Sequence, residues 1–460
     1  MPEHSEDTTN VLVPVGALGG GIRESDVAAG IAAGAHAIAC DAGSTDSGPA
    51  YLATGVSKYG RDSVKADLAI LMRAQAAAGI PLLIGSCGTS GCDGALDWTH
   101  AIALEIAREE KLSPRIALLY SEQTPDSLER AADENRIEPL APMSGVDKAV
   151  FRDCRHIVAL MGPEPYIAAL EAGADIVLGG RTTDTAVIAA VPLMRGRDAG
   201  AAWHAGKISE CGGQCTVNPR EGGVMIRVGD NGFIVEPLAS PNRCSVESVS
   251  AHMLYENSDP YLLHEPGGVL DVRSARYRAL DDRRVQVSGS LFEPAPYTMK
   301  LEGASGDGFQ TLMLIGIQDP KVLAELPRFL GQMQMLLEQR VHATMGERAG
   351  AFTISLRPYG WSGVSGVPLS ATPPQEIGLL FVATAQTQEI ATQIAKNCNP
   401  YFFHMPLDLD MELPSYAFPF SPAEIERGEV YSFRLNHRVR VDDPMERVRM
   451  ELRMPEAAHG

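Results

Sequence analysis

One junction is written three times in the first 180 residues, as GAHAIAC (34–40), GIPLLIG (79–85) and GADIVLG (173–179). Each sets a glycine where a helix must stop and follows it with an apolar run of strand length. A pattern that alternates helix and short buried strand folds into a largely parallel sheet with helices on its faces, because parallel neighbours need a long crossover. The predicted strands are Val11–Val15, His36–Cys40, Pro81–Gly85, Arg115–Leu119, His156–Leu160 and Ala174–Leu178. Between them, Asp62 or Ser63 caps a helix with Val64, Leu68, Leu71 and Met72 on one face and Gly79 at its end. Further helices are expected over 97–111, 163–173 and 183–195. Pro14 sits badly in a central strand, where it removes a ladder donor. Periodicity leaves open whether the sheet is doubly wound or part of a barrel.

After Asn218 the texture becomes turn-rich and β-prone. A strand (TLMLIGI), a helix from Pro320 to Met345, two strands (AFTISLRPYG, EIGLLFVATA) and a helix (TQEIATQIAKNC) then follow in an α+β order. The expected organisation is a disordered lead over 1–10, an α/β domain over 11–230 and an α+β domain over 231–460. The latter ends in a Pro-rich, then charge-balanced, tail.

Composition narrows the partners. With 39 Lys+Arg against 58 Asp+Glu the net charge is −19, the wrong sign for a protein that neutralises phosphate backbones, so nucleic acid is not an expected partner. The start MPEHSEDTTN lacks the basic and apolar regions of a secretory signal, and no apolar run approaches bilayer length; the expected setting is cytoplasmic, without a membrane. The eight cysteines are sparse and form no Cys-x-x-Cys, which predicts thiols, not a disulfide scaffold.

Parallel sheets bind ligands beyond their carboxyl ends. There the sequence offers four glycine- and hydroxyl-rich loops: Gly16–Arg23, Cys40–Pro49, Gly85–Gly94 and Gly179–Thr185. Such loops can ring an anion with N–H and O–H donors. The candidate substrate-binding residues are Gly20, Gly21, Arg23, Ser44, Thr45, Ser86, Thr89, Ser90, Arg181, Thr182, Thr183 and Asp184, with Arg23 and Arg181 placed for bidentate contact. Asp41, Asp46 and Asp184 are candidates for proton transfer or for holding a divalent metal ion through oxygen, although Asp184 equally suits a helix start. Cys87 lies ahead of a helix N-terminus, a setting that activates thiols, although a buried apolar role is the commoner fate. Neither G-x-G-x-x-G nor a Walker A motif is present, so no NAD or P-loop nucleotide signature is read. A nucleotide-dependent oxidoreductase is a third-ranked reading.

Beyond residue 200 the segment Glu210-Cys-Gly-Gly-Gln-Cys215 pairs two thiols, which His204 or His252 would have to complete for zinc. If 246–256 is helical, His252 and Glu256 share a face, and Tyr255 and Glu256 become candidates to close the site. Lys300 and Glu302 alternate on a strand and carry both charges to one face. His404 and His437 read as core or surface histidines.

Several separated segments, CDAGSTDSGPAYLATG (40–55), GADIVLGGRTTDTAV (173–187), ECGGQCT (210–216), HMLYENSDPYLLHEPGGVLD (252–271), YTMKLEGA (297–304) and SYAFPFSPAEIERGEVYSFRLNHRV (415–439), together resemble the acyclic terpene utilisation protein A (AtuA-like) family. The resemblance runs from about residue 11 to 450 and implies a role in catabolism of branched terpene acids or other carboxylic acids. It also implies a small partner protein for some members, hence a subunit of a hydratase-like lyase. It brings no catalytic set, so the site residues above rest on position and chemistry alone. The combined expectation is a lyase or hydratase acting on a carboxylate or acyl-CoA, working as a homo-oligomer, with a non-catalytic binding or scaffold subunit as the alternative.

Overall fold

A computed structural model describes residues 8–255, 259–368 and 370–454. Five of the six predicted strands form a parallel block: β1 (Thr9–Val13), β2 (Ala37–Asp41), β3 (Leu82–Gly85), β4 (Ile116–Tyr120) and β5 (Ile176–Gly179), in the order β1-β2-β3-β5-β4. Their side chains divide between two cores. On one face Val11, Val13, Ala37, Ala39, Leu83 and Val177 pack against α4 (Asp184–Met194) and α5 (Ala199–Ser209). On the other, Leu12, Ile38, Leu82, Ile84 and Leu178 meet α1 (Glu24–Ala32), α2 (Arg61–Ala78) and α3 (Asp93–Glu109) through Val27, Leu68, Leu71, Met72, Leu96 and Ile102. Burial on both faces is why these strands are apolar at nearly every position. β1 ends at Val13, so Pro14 falls just past the ladder and the expected blemish disappears.

The remaining predicted strand, His156–Leu160, forms but leaves the block. His156–Ala159 pairs antiparallel with residues 301–304 of the strand Thr298–Ile317. The parallel block is instead extended by antiparallel strands. Val224–Gly229 pairs with β1 and Gly232–Pro237 with Val224–Gly229, while Arg449–Arg453 lines β4 at the far edge, giving a mixed sheet of ten strands. The changed texture after Asn218 therefore marks a switch from parallel to antiparallel pairing inside one sheet. The chain divides elsewhere than the expected boundary near 230. One compact unit holds the described residues up to 305 and from 433 onward, and the other holds 306–432.

The second unit combines antiparallel strands with helices over a span shorter than the expected 231–460 domain. Residues 309–317 pair antiparallel with Ile377–Ala385, which pairs in turn with Phe352–Tyr359. Leu326–Met345 and Gln388–Cys398 bury Phe329, Met333, Leu337 and Ile394 in a core shared with Met313, Ile315 and Phe381. The single helix expected from Pro320 to Met345 breaks at Glu325, because Pro327 in the first turn of the longer helix lacks the N–H that a continuous helix needs there. Among the described residues no helix is long and apolar enough to cross a membrane.

Candidate functional site

The carboxyl ends of β1 and β2 open into a cleft of about 820 Å³. Its lining includes Gly20, Gly21, Arg23, Asp41, Ser44, Asp46, Asp184 and Tyr255 from the predicted set, together with Lys58, Tyr59, Glu210, Cys211 and Arg220. Asp41 ends β2 and is buried. Its Oδ2 accepts the Gly43 N–H at 2.9 Å, while Oδ1 makes no hydrogen bond. Burial, then the nearby Asp184 carboxylate, push the Asp41 carboxyl well above the usual carboxylate range, against the pull of Arg181. Gly85 makes this placement feasible: a Cβ there would lie 2.8 Å from Asp41 Oδ1 and 2.5 Å from Val187 Cγ2. Asp46 is exposed on the same loop and accepts from the Ser44 hydroxyl at 2.5 Å.

Asp184 does not cap α4. Thr183 is the N-cap residue, and Asp184 stands in the first turn, where burial raises its carboxyl despite Arg181. Glu210 lies at the C-terminal end of α5, ion-paired with Lys207 and accepting from Thr185 Oγ1 at 3.2 Å. Burial pushes Glu210 up to about 8, the charge of Lys207 only partly opposing it, and the Asp184 carboxylate adds to the rise. Five residues on, Cys215 turns away into the core, and His204 is buried between Ser290 Oγ (2.7 Å) and Tyr277 Oη (3.1 Å). Of the two histidines weighed for a metal, His252 is the one brought to the thiols, and it meets Cys211. Donor atoms of Glu210, Cys211 and His252 lie within 4.8 Å of one another, and the buried His252 Nε2 makes no hydrogen bond. Burial, followed by Lys207, holds that imidazole neutral, at about 4. These three side chains are a donor set that could take a divalent ion of zinc type, with the Lys207 charge opposing it.

The remaining predicted residues serve the walls. Arg181 is buried and does not line the cleft: Nε lies 3.2 Å from Glu302 Oε2, Nη1 3.1 Å from Ser86 Oγ and Nη2 3.2 Å from Thr45 Oγ1. Burial alone would favour losing its proton, but Glu302, Asp184 and Asp41 outweigh it and keep the guanidinium charged. Thr45 and Lys300 also donate to Glu302, at 3.0 and 2.9 Å, and Glu302 stays ionised at about 2 because Arg181 and Lys300 outweigh its burial. Thr182 bonds Tyr166 and Ser86, and Thr89 and Ser90 are wholly buried in the folded Gly85–Gly94 loop. Thr183, like Lys300 and Glu265, lines a second cleft of about 580 Å³. Cys87 belongs to the core below the sheet, where burial and then Asp41 raise its thiol far above the ordinary value, the reverse of the activation expected. α3 starts six residues later, at Asp93, with Cys92 as its N-cap. Tyr255 lines the cleft and stacks on His252 at 5.7 Å, whereas Glu256 lies outside the described residues. The helix expected over 246–256 ends at Ala251 and continues as a tighter turn to Leu254.

The first glycine loop does bind an anion, but an internal one. The N–H groups of Gly19, Gly21 and Ile22 converge on the carboxylate of Asp67 from α2, at 2.8, 3.0 and 2.8 Å. Sequence reasoning identified the loop but not its occupant, which lies 45 residues away in the chain. It also gave no role to Lys58 and Arg220, which line the cleft and carry the cationic charge that Arg181 spends inside.

A mixed α/β protein with a cleft at the carboxyl ends of its parallel strands is the class these features define. Residues 58–430 match the family model described as "Acyclic terpene utilisation family protein AtuA", and the chain belongs to that family. Membership implies a catabolic role in the use of acyclic terpenes. No curated protein and no solved structure matches the chain.

Proposed function

We propose that this chain is a catabolic enzyme of lyase or hydratase type that works by carboxyl acid–base chemistry on a carboxylate or acyl-thioester substrate in the larger cleft. The observation that carries this reading is Asp41: a buried carboxyl with one oxygen unbonded, facing a cleft and held toward its neutral form. Such a group can donate a proton near neutral pH, as a general acid must. The exposed Asp46 on the same wall supplies the complementary base. In the dehydration direction Asp46 takes the proton from the carbon beside the substrate carbonyl. The C–O bond to the leaving hydroxyl breaks, and that hydroxyl departs as water with the proton of Asp41; hydration is the reverse. Arg23, Lys58 and Arg220 hold the substrate's anionic end, and Tyr255 covers the opening. Arg181 positions the loops beneath.

Family membership supports the catabolic setting and the cleft supports a small molecule. The test is turnover of hydroxy-acyl and unsaturated acyl thioesters, and of the corresponding free acids, by the purified chain and its Asp41→Asn variant. Turnover lost in the folded variant supports the assignment. Equal turnover in both would overturn it, and turnover only after adding a second polypeptide would move the chemistry to a shared or neighbouring site.

A further inference from the structure

A second constellation stands apart from the carboxyl cleft, at the start of α3. Cys92 caps this 17-residue helix, and its Sγ accepts from Ser90 Oγ at 3.4 Å. Glu122, two residues past β4, accepts the Asp93 N–H at 2.8 Å through one oxygen and lies 2.7 Å from His156 Nδ1 through the other. The thiol, an imidazole nitrogen and a carboxylate oxygen of the three side chains fall within 4.8 Å of one another. With Nδ1 bound to Glu122, the basic nitrogen is Nε2.

What lies in front of the thiol matters most. Gly55, at φ +66°, has no side chain, and a Cβ there would sit 3.4 Å from Cys92 Sγ and 3.5 Å from His156 Nε2. With no side chain on Gly55 to cover them, Cys92 Sγ and His156 Nε2 face one shared space, where a reacting atom can reach nucleophile and base together. It opens on a cavity of about 550 Å³ lined by Val56, Tyr59, Ala95 and Trp98, with Arg61 also on its wall. Gly94 lines it too, and its amide in the first turn of α3 has no acceptor within the helix, so it can meet an acyl oxygen. Burial raises the Cys92 thiol, so the group rests neutral and needs a base, while Glu122 makes His156 the stronger base.

The geometry points to a nucleophilic site in which Cys92 attacks, His156 moves the proton and Glu122 positions His156, taking an acyl group with an apolar chain from a thioester. Sγ bonds the carbonyl carbon as its proton passes to Nε2, and the C–S bond to the outgoing thiol breaks. That thiol leaves with the proton, and the acyl group stays on Cys92. Water, with His156 again as base, then releases the free acid and restores the thiol. A thioester suits this step because the outgoing thiol is as good a leaving group as Cys92, whereas an amide or ester offers a poorer one. The inference does not depend on the carboxyl cleft, and its readout is separate from turnover there.

The experiment is intact-protein and peptide mass spectrometry of the full chain after exposure to the butyryl thioester of N-acetylcysteamine. One butyryl group on Cys92, absent in Cys92→Ser and formed about a hundredfold more slowly in His156→Gln, is the expected result. Both variants are first checked for an unchanged thermal transition. Should either fail to fold, protection of Cys92 from iodoacetamide by the thioester in the unaltered chain decides instead. Glu122, Asp93 and Arg155 are the charged groups bearing on His156, so Glu122→Gln should move the acylation pH profile downward, which a merely structural role would not do. No acyl group on Cys92, acylation spread over other cysteines, or a stoichiometric zinc ion lost in Cys92→Ser would each overturn the proposal, the last in favour of a metal site.

Discussion

At the scale of single residues, the molecule separates carboxyl groups by environment. Glu302 and Asp41 both lie near the Arg181 guanidinium, yet Glu302 stays ionised at about 2 while burial and a like charge raise Asp41. The difference is contact: Arg181 and Lys300 are bonded directly to Glu302, whereas one Asp41 oxygen has no donor. Asp41→Asn keeps an acceptor for the Gly43 N–H and loses the transferable proton, so turnover should fall at least about a hundredfold with little change in Tm; a loss under about threefold would remove the acid role. Glu210 offers a stability test. Its folded value of about 8 stands above the ordinary 4.5, so over that interval the folded state holds a proton that the unfolded state has lost. Stability therefore declines as pH rises from 4.5 through 8, and Glu210→Gln should flatten that decline in thermal melts taken across the interval. The sequence named Asp41, Asp46 and Asp184 because they follow strands. It could not reveal which carboxyl is desolvated, since Asp41 is raised by burial in the folded sheet and by Asp184, which follows a different strand.

Elements were legible where one local rule decided them. The repeated glycine-plus-apolar junctions gave β2, β3 and β5, and Gly79 ends α2 in the left-handed conformation, at φ +63°, as expected. Pairing was less legible. His156–Ala159 has the composition of its neighbours, but its partner comes from Thr298–Ile317, and nothing local marks it as antiparallel. The glycines of the β2 and β3 loops were read as approaches for a ligand, yet they admit neighbouring loops: a Cβ on Gly91 would lie 2.2 Å from the Arg181 backbone nitrogen, and one on Gly43 2.4 Å from the Thr89 Cα. Local composition announces a close approach without saying of what. Gly85→Ala should accordingly cost about 1–3 kcal/mol in denaturant unfolding, through overpacking against Val187, and should lower turnover further by displacing Asp41.

For the whole molecule, the charge of −19 had suggested that anion recognition would rest on loop amides and a few arginines. The cleft instead presents Arg23, Lys58 and Arg220 in a cavity also lined by Asp41, Asp46, Asp184 and Glu210. A carboxylate or acyl-thioester ligand bound there at a hundredfold excess over its Kd would add about 2.7 kcal/mol to stability. The rise in Tm should shrink as salt screens the three cations; a rise insensitive to salt would argue for apolar binding elsewhere. The Asp67 carboxylate in its amide cradle has a further consequence. The chain carries a tethered guest in a receptor of its own making, so Asp67→Gly should empty the receptor and lower Tm, and millimolar formate, an untethered copy of the missing group, should restore part of the loss where chloride restores less.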